Sequence, residues 1–89
     1  MNKFTRKEIL MVISGERDYQ DKMAADSSRP DMIDDFHVGD GLSGIRYNLQ
    51  KAEEVWYKGS TPHAEAMGYL RKVAAICVKL GETYGMPER

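Results

Sequence analysis

The chain has 89 residues, of which 42% are hydrophobic and 30% are charged, and its net charge at pH 7 is -1. A chain below the roughly 100–150 residues of a typical domain indicates one small domain. The near-neutral charge excludes a general electrostatic attraction to nucleic acid or to an acidic membrane surface. A single cysteine, Cys77, and the lack of an apolar run long enough to span a bilayer predict a soluble cytoplasmic protein without a membrane partner.

The first predicted helix runs from about residue 6 to residue 24. Thr5 and Glu8 have the spacing of a capping box, in which each side chain accepts a hydrogen bond from the other residue's backbone amide. Apolar residues then recur at helical spacing from Ile9 to Met23, and Glu16 interrupts them in the middle. The sequence therefore predicts a helix whose apolar face carries one carboxylate.

Residues 25–40 form a predicted acidic connector. Proline, serine and glycine residues give it the composition of turns. Five aspartates against one arginine give residues 26–40 a net charge of -4. We expect a solvated segment, with Phe36 and Val38 packing onto the helices.

Two apolar stripes with helical spacing predict a second helix at about residues 41–57 and a third at about residues 62–84. Pro62 suits the first position of a helix, and Gly85 suits the position after its end. We expect both stripes to be buried, and Gly81 to permit a close helix–helix contact. The stripes consist of Leu42, Ile45, Leu49, Ala52 and Trp56 in the second helix, and of Met67, Leu70, Ala74, Cys77, Gly81 and Tyr84 in the third.

The predicted fold class is therefore all-α. It is a small bundle of three main helices with a long hairpin formed by the second and third. So short a chain leaves little room for a closed core, and we expect self-association to complete the bundle.

Glu16 is the sharpest candidate for a functional residue. A carboxylate on a buried face must be paired, hydrogen-bonded or bound to a metal ion, because burying it alone is too costly. One interpretation is an ion pair with a basic residue such as Arg46 or Arg71. The other is a binding role.

Basic residues with aromatic neighbours form a second group of candidates. Aromatic rings beside cations suit a nucleotide or an acidic protein surface. The alternative is that these long side chains only cover the edges of the core. With Glu16, the candidate ligand-binding residues are Arg17, Tyr19, Arg46, Tyr47, Arg71 and Lys72.

Two segments carry a family resemblance. Glu16–Asp21, with the sequence ERDYQD, resembles the opening signature of small phage-encoded helical proteins. The segment Leu70–Ala75, followed by Glu82 and the ending Gly85–Arg89, resembles their closing helix. In arrangement the chain is also similar to a trimmed, distant relative of MazG-like nucleotide pyrophosphohydrolases. That resemblance implies an all-α, oligomeric protein.

Enzymes of the MazG-like family bind magnesium through an E-x-x-E motif and a later E-x-x-D motif. At the corresponding positions this chain has Asn48 with Lys51, and Tyr69 with Lys72. The resemblance therefore implies the scaffold of the family without its usual magnesium ligands. Any remaining metal site would use Glu16, Asp18 and Asp21.

These observations predict a non-catalytic, phage-type binding protein without a cofactor. It would act on a host protein or sequester a nucleotide-type ligand, in the cytoplasm of an infected cell if it is phage-encoded. The alternatives are a magnesium-dependent nucleoside triphosphate pyrophosphohydrolase and a structural subunit of a larger assembly. We expect a homo-oligomer, and the sequence gives no strong case for nucleic acid as a partner.

Overall fold

The computed structural model describes residues 3–25, 36–58 and 62–89. These ranges form three helices, α1 (Arg6–Ala25), α2 (Val38–Lys58) and α3 (Pro62–Tyr84), and contain no strand. α3 packs against both other helices, and its contact with α2 is the more extensive one. The all-α bundle and its helical hairpin are thereby confirmed. Most of the predicted connector, residues 26–35, lies outside the described residues.

The capping signals at the outer ends of the bundle are confirmed. The Thr5 amide donates to Glu8 Oε1 and the Glu8 amide donates to Thr5 Oγ1, both at 3.1 Å. At the end of α3, the Gly85 amide donates to the Gly81 carbonyl at 2.8 Å, and Gly85 has a φ of 81°. Only glycine adopts this left-handed conformation at little cost, so Gly85 ends the helix where the sequence predicts.

α2 begins earlier than predicted, at Val38 instead of residue 41. The Asp40 carboxylate accepts a hydrogen bond from the His37 amide at 2.9 Å, and the His37 carbonyl accepts from the Gly41 amide at 3.2 Å. His37 is therefore the N-cap of α2, and Asp40 occupies the acidic position of a capping box. Gly39, which we interpreted as part of the connector, belongs to the first turn of the helix together with Gly41.

The contact between α2 and α3 includes Ala52 of the predicted stripe, but it also uses Gly41 and Gly44, which lie outside that stripe. A Cβ atom on Gly41 would lie 2.7 Å from Leu80 Cδ2, and one on Gly44 would lie 3.2 Å from Ile76 Cδ1. These two glycines, one turn apart, give the branched side chains of α3 room against the α2 backbone. The buried residues on the two helices are all small: Gly41 and Ala52 on α2, and Ala66 and Ala75 on α3.

The prediction that both stripes are buried is therefore wrong for most of their large side chains, whereas Ala52 is buried and Ile45 is half-buried. Leu49 and Trp56 of the first stripe, and Met67 and Leu70 of the second, all remain exposed. The close helix–helix contact expected at Gly81 is also wrong, because a Cβ there would make only an ordinary contact with Met86, 3.6 Å from its Cε. The stripes instead form part of an open apolar surface.

Phe36 fixes the start of α2 to the end of α3. The Tyr84 hydroxyl donates to the Phe36 carbonyl at 2.7 Å, and Lys79 Nζ lies 4.2 Å from the centre of the Phe36 ring. This distance is within the range of a cation–π interaction. The expected packing of Phe36 is confirmed, whereas Val38 is exposed.

Candidate functional site

Glu16 forms an ion pair between α1 and α3. Its Oε1 lies 2.6 Å from Arg71 Nε. The Glu16 side chain is only 8% exposed, whereas that of Arg71 is 42% exposed. The carboxylate is therefore withdrawn from solvent and satisfied by one of the two basic residues expected for it. The ion pair between Glu16 and Arg71 therefore joins α1 to α3.

Arg17 makes the neighbouring bridge between the same helices. Its Nε lies 2.5 Å from Glu82 Oε1, and its Nη1 lies 2.6 Å from Asp21 Oδ1. Burial of the guanidinium by itself lowers the pKa of Arg17, but the hydrogen bonds and charges of Asp21 and Glu82 outweigh it and raise the pKa above its ordinary value. Arg17 therefore stays charged at every ordinary pH. Because its pKa is higher in the folded state than in the unfolded state, this charge stabilises the fold, and the stabilisation is lost only as the pH rises through the folded-state pKa.

The acidic residues of α1 do not act together as a group. Glu16 contacts Arg71, Asp21 contacts Arg17, and Asp18 is exposed. Within residues 3–25, 36–58 and 62–89, no three His, Cys, Asp or Glu side chains are placed to hold a metal ion. The set Glu16, Asp18 and Asp21 therefore does not converge in this structure.

A shallow cleft on α3 combines an aromatic ring with basic groups. Lys72 Nζ lies 5.3 Å from the centre of the Tyr69 ring, and the Lys72 backbone carbonyl accepts a hydrogen bond from Gln20 Nε2 of α1 at 3.4 Å. Gly68 also lines the cleft, and apart from its chain neighbours a Cβ there would meet no atom within 4 Å. The cleft has a volume of about 310 Å³, and its lining residues are Glu65, Gly68, Tyr69, Arg71 and Lys72.

The other predicted ligand-binding residues lie elsewhere. Tyr19 is exposed on α1, and Arg46 and Tyr47 are exposed on α2. Lys51 Nζ lies 5.5 Å from the centre of the Tyr47 ring, so this basic–aromatic pair is formed within α2 itself. The structure thus joins Glu16 to Arg71, and Arg71 and Lys72 to the α3 cleft.

Two apolar grooves run along the two sides of α3. One, of about 320 Å³, lies between α2 and α3, and the other, of about 440 Å³, lies between α1 and α3. Met67 and Leu70 line both grooves and form the ridge between them. We call this surface the apolar face: it consists of Ile9, Val12 and Ile13 of α1, Leu49 and Trp56 of α2, and Met67, Leu70 and Ala74 of α3.

Comparisons with known proteins do not place the chain in a family. No family model matches the chain, and no curated protein or solved structure matches it either. The three described helices also lack the combination of length and apolar composition that a membrane-crossing helix needs.

Sequence reasoning did not identify Glu65, Gly68 and Tyr69, which line this cleft, as candidate site residues. Residues 65, 69 and 72 are spaced by four and then three positions, so they lie along one side of α3. We considered Tyr69 only as a replacement for a metal ligand. The spacing of a carboxylate, a ring and a lysine along one helix was the signal available in the sequence.

Proposed function

We propose that this chain is a non-catalytic binding protein that sequesters a nucleotide-type ligand at the α3 cleft. The observation that carries the proposal is the contact of the Lys72 ammonium with the Tyr69 ring in a cleft that Gly68 also lines. A tyrosine ring can stack on a base, and a lysine beside it can meet a phosphate.

The charges around the cleft fit such a ligand. Within the described part of the chain, Lys72 forms no ion pair, so its charge is available to an anion. Glu65 lies one turn before Tyr69 and can accept hydrogen bonds from the amino group of a base. Arg71 is partly exposed although it contacts Glu16, and it can offer its remaining N–H groups to a phosphate.

The pairing of Glu16 favours binding over hydrolysis. In the alternative function, magnesium-dependent pyrophosphate release, Glu16 would have to give a carboxylate oxygen to the metal ion. Here that oxygen is held by the Arg71 guanidinium, which competes directly with a cation. If the chain is phage-encoded, as its resemblance predicts, the sequestered ligand would belong to the host cell.

Calorimetric titration with nucleoside mono-, di- and triphosphates and with dinucleotides tests the proposal. We expect saturable binding without turnover, weakened about 5- to 150-fold by Tyr69→Ala, since stacking on one base contributes about 1–3 kcal/mol. Lys72→Gln should weaken phosphate-bearing ligands selectively. Absence of binding to every compound in the panel would contradict the proposal.

Tyr47→Ala is the matched comparison, because Tyr47 also contacts a lysine, Lys51, on an exposed helix surface. Unchanged affinity in this variant assigns the ligand to α3, whereas a loss equal to that of Tyr69→Ala would move the site to α2. A pyrophosphate assay with magnesium completes the test. Release that stops with a chelator and with Glu16→Gln would favour the enzyme.

A second candidate function, binding to a host protein, is favoured by the apolar face. Contiguous exposed apolar surfaces, such as the two grooves beside α3, are typical of protein–protein contacts. Capture of one defined host protein by the wild type, and its loss in Met67→Glu, would support this function.

A further inference from the structure

We infer that Glu16 is a built-in competitor of the anionic ligand, so that the docking of α1 and the binding of the ligand compete for Arg71. Such competition regulates the proposed binding site, and it rests on the proposed function for the chemistry of the ligand. Arg71 Nε lies 2.6 Å from Glu16 Oε1 of α1, and the same side chain lines the α3 cleft with Tyr69 and Lys72. One guanidinium therefore belongs both to the contact between α1 and α3 and to the cleft.

Glu16 holds the donor that a phosphate group would use. A guanidinium binds a phosphate best through two parallel N–H bonds, and Nε–H supplies one bond of its lateral pair. The Glu16 carboxylate accepts from that Nε–H and also offsets the positive charge. The Arg71 side chain is 42% exposed and can turn toward solvent, whereas the Glu16 side chain is 8% exposed and is fixed to α1. An anion that takes the lateral pair must draw Arg71 away from Glu16.

A second hydrogen bond of α1 also ends on a residue of the cleft. Gln20 lies one turn after Glu16, and its Nε2 donates to the backbone carbonyl of Lys72 at 3.4 Å. Two neighbouring side chains on one side of α1 thus contact two consecutive residues of α3. The attachment of α1 is therefore made partly on the residues that line the cleft.

α1 is the helix that such a displacement can release. It contains no buried residue, and its contact with α3 is smaller than that of α2. A neighbouring ion pair joins Arg17 to Glu82, but the Glu82 side chain is 55% exposed, so solvent weakens the pair. Loss of the contact between Glu16 and Arg71 therefore loosens α1. The coupling is reciprocal: the anion weakens the docking of α1 by the same factor by which docked α1 weakens the binding of the anion.

Titration with inorganic pyrophosphate, without divalent metal ions and followed by NMR of the backbone amides, tests this competition. Pyrophosphate carries phosphate charge without a base, so stacking does not contribute to its binding. Glu16→Gln keeps the size of the side chain and removes the charge that holds Arg71. We expect this variant to bind pyrophosphate about fivefold more tightly or better, from the lower end of typical coupling between two sites. A smaller gain, or a loss as expected for a merely structural residue, would overturn the inference.

Glu82→Gln is the matched control. It removes an acidic partner of Arg17 between the same two helices, but Glu82 does not line the cleft. We expect its affinity for pyrophosphate to stay within about twofold of the wild type, because sites without shared partners act independently to within about that factor. A larger change would show that the cleft responds to any loosening of α1, and it would overturn the role given to Glu16.

Hydrogen exchange of the wild-type chain gives a test that needs no variant. A helix released from its packing partner is only marginally stable in water, so the α1 amides exchange when α1 leaves α3. Saturating pyrophosphate should speed the exchange of the α1 amides about fivefold or more, while the amides of α2 and α3 keep their protection. A smaller increase, or slower exchange, would overturn the inference, since a ligand without this competition protects the whole fold.

The same titration with ATP separates this competition from the proposed function. If Glu16→Gln tightens pyrophosphate binding but Tyr69→Ala does not weaken ATP binding, the competition for Arg71 stands without base stacking. If Tyr69→Ala weakens ATP binding and Glu16→Gln tightens neither ligand, the binding site stands and the competition is overturned. Failure of both ligands to bind either the wild type or Glu16→Gln would overturn both.

Discussion

Glu16 and Arg71 are 55 residues apart in the chain, yet their side chains meet at 2.6 Å between α1 and α3. Replacing Arg71 with methionine keeps much of the side-chain volume but leaves the withdrawn carboxylate without its partner. We expect a loss of about 1–3 kcal/mol in the free energy of unfolding, the usual cost of an unsatisfied polar group. Urea denaturation at neutral pH measures it.

Lys51→Met is the control for this ion pair. Lys51 lies 3.6 Å from Glu54 on the surface of α2, where both side chains reach solvent. Exposed pairs of this kind contribute about 0.5 kcal/mol or less. Equal losses in the Arg71 and Lys51 variants would show that Glu16 gains nothing specific from its partner.

The capping box of α1 gives a second prediction. Thr5→Ala removes the acceptor of the Glu8 amide and should lower stability by about 1 kcal/mol, as is usual for N-cap threonine. Thr83→Ala is the matched change, because the Thr83 hydroxyl donates to the Lys79 carbonyl, which already belongs to a helix. Thermal unfolding should therefore show a lower melting temperature for Thr5→Ala than for the wild type, and an almost unchanged melting temperature for Thr83→Ala.

Glycine-to-alanine changes separate the packed side of α2 from open helix surface. Gly41→Ala should destabilise the chain by about 1–3 kcal/mol, because the new methyl group overlaps Leu80 and forces α2 and α3 apart. Gly15→Ala should stabilise it by about 0.5–1 kcal/mol, since its methyl group meets no atom within 4 Å and alanine favours the helix. Denaturant titrations that give the same sign for both would contradict this packing.

Replacing leucine with alanine shows which side of the hairpin contributes more to the free energy of unfolding. Leu80 packs on Gly41, so Leu80→Ala should cost about 2–4 kcal/mol. Leu49 is 45% exposed in the single chain, and Leu49→Ala should cost about 1 kcal/mol. Both losses are measured by urea unfolding at the same low protein concentration. A larger loss for Leu49→Ala would restore the predicted stripe as the buried side.

Local signals in the sequence were sufficient for the helices. The reciprocal bonds of Thr5 and Glu8 and the left-handed Gly85 involve residues within one turn of each other, so their spacing alone predicts them. The start of α2 was missed because Gly39 and Gly41 resemble a turn, while the Asp40 carboxylate caps the His37 amide. A single capping bond outweighs the weak helix preference of glycine here.

The candidate site was predicted only in part. Glu16 was recognised as a carboxylate that needs a partner, and Arg71 was one of two partners considered. The choice of Arg71 depends on how α1 crosses α3, which no local spacing encodes. Tyr69 and Gly68 became part of a candidate cleft only when the structure placed both in the lining of one cleft on α3.

The sequence by itself determined three helices, the caps at the start of α1 and the end of α3, and the hairpin, because backbone hydrogen bonding and apolar periodicity act over a few residues. The tertiary structure decided which sides of the helices meet. Gly41 and Gly44 let α2 approach Leu80 and Ile76, and small residues allow closer packing than a line of large ones. The large apolar side chains of the predicted stripes were thereby left on the outside. Periodicity identifies an apolar surface, but only the packing of the whole chain decides whether that surface is covered within one molecule.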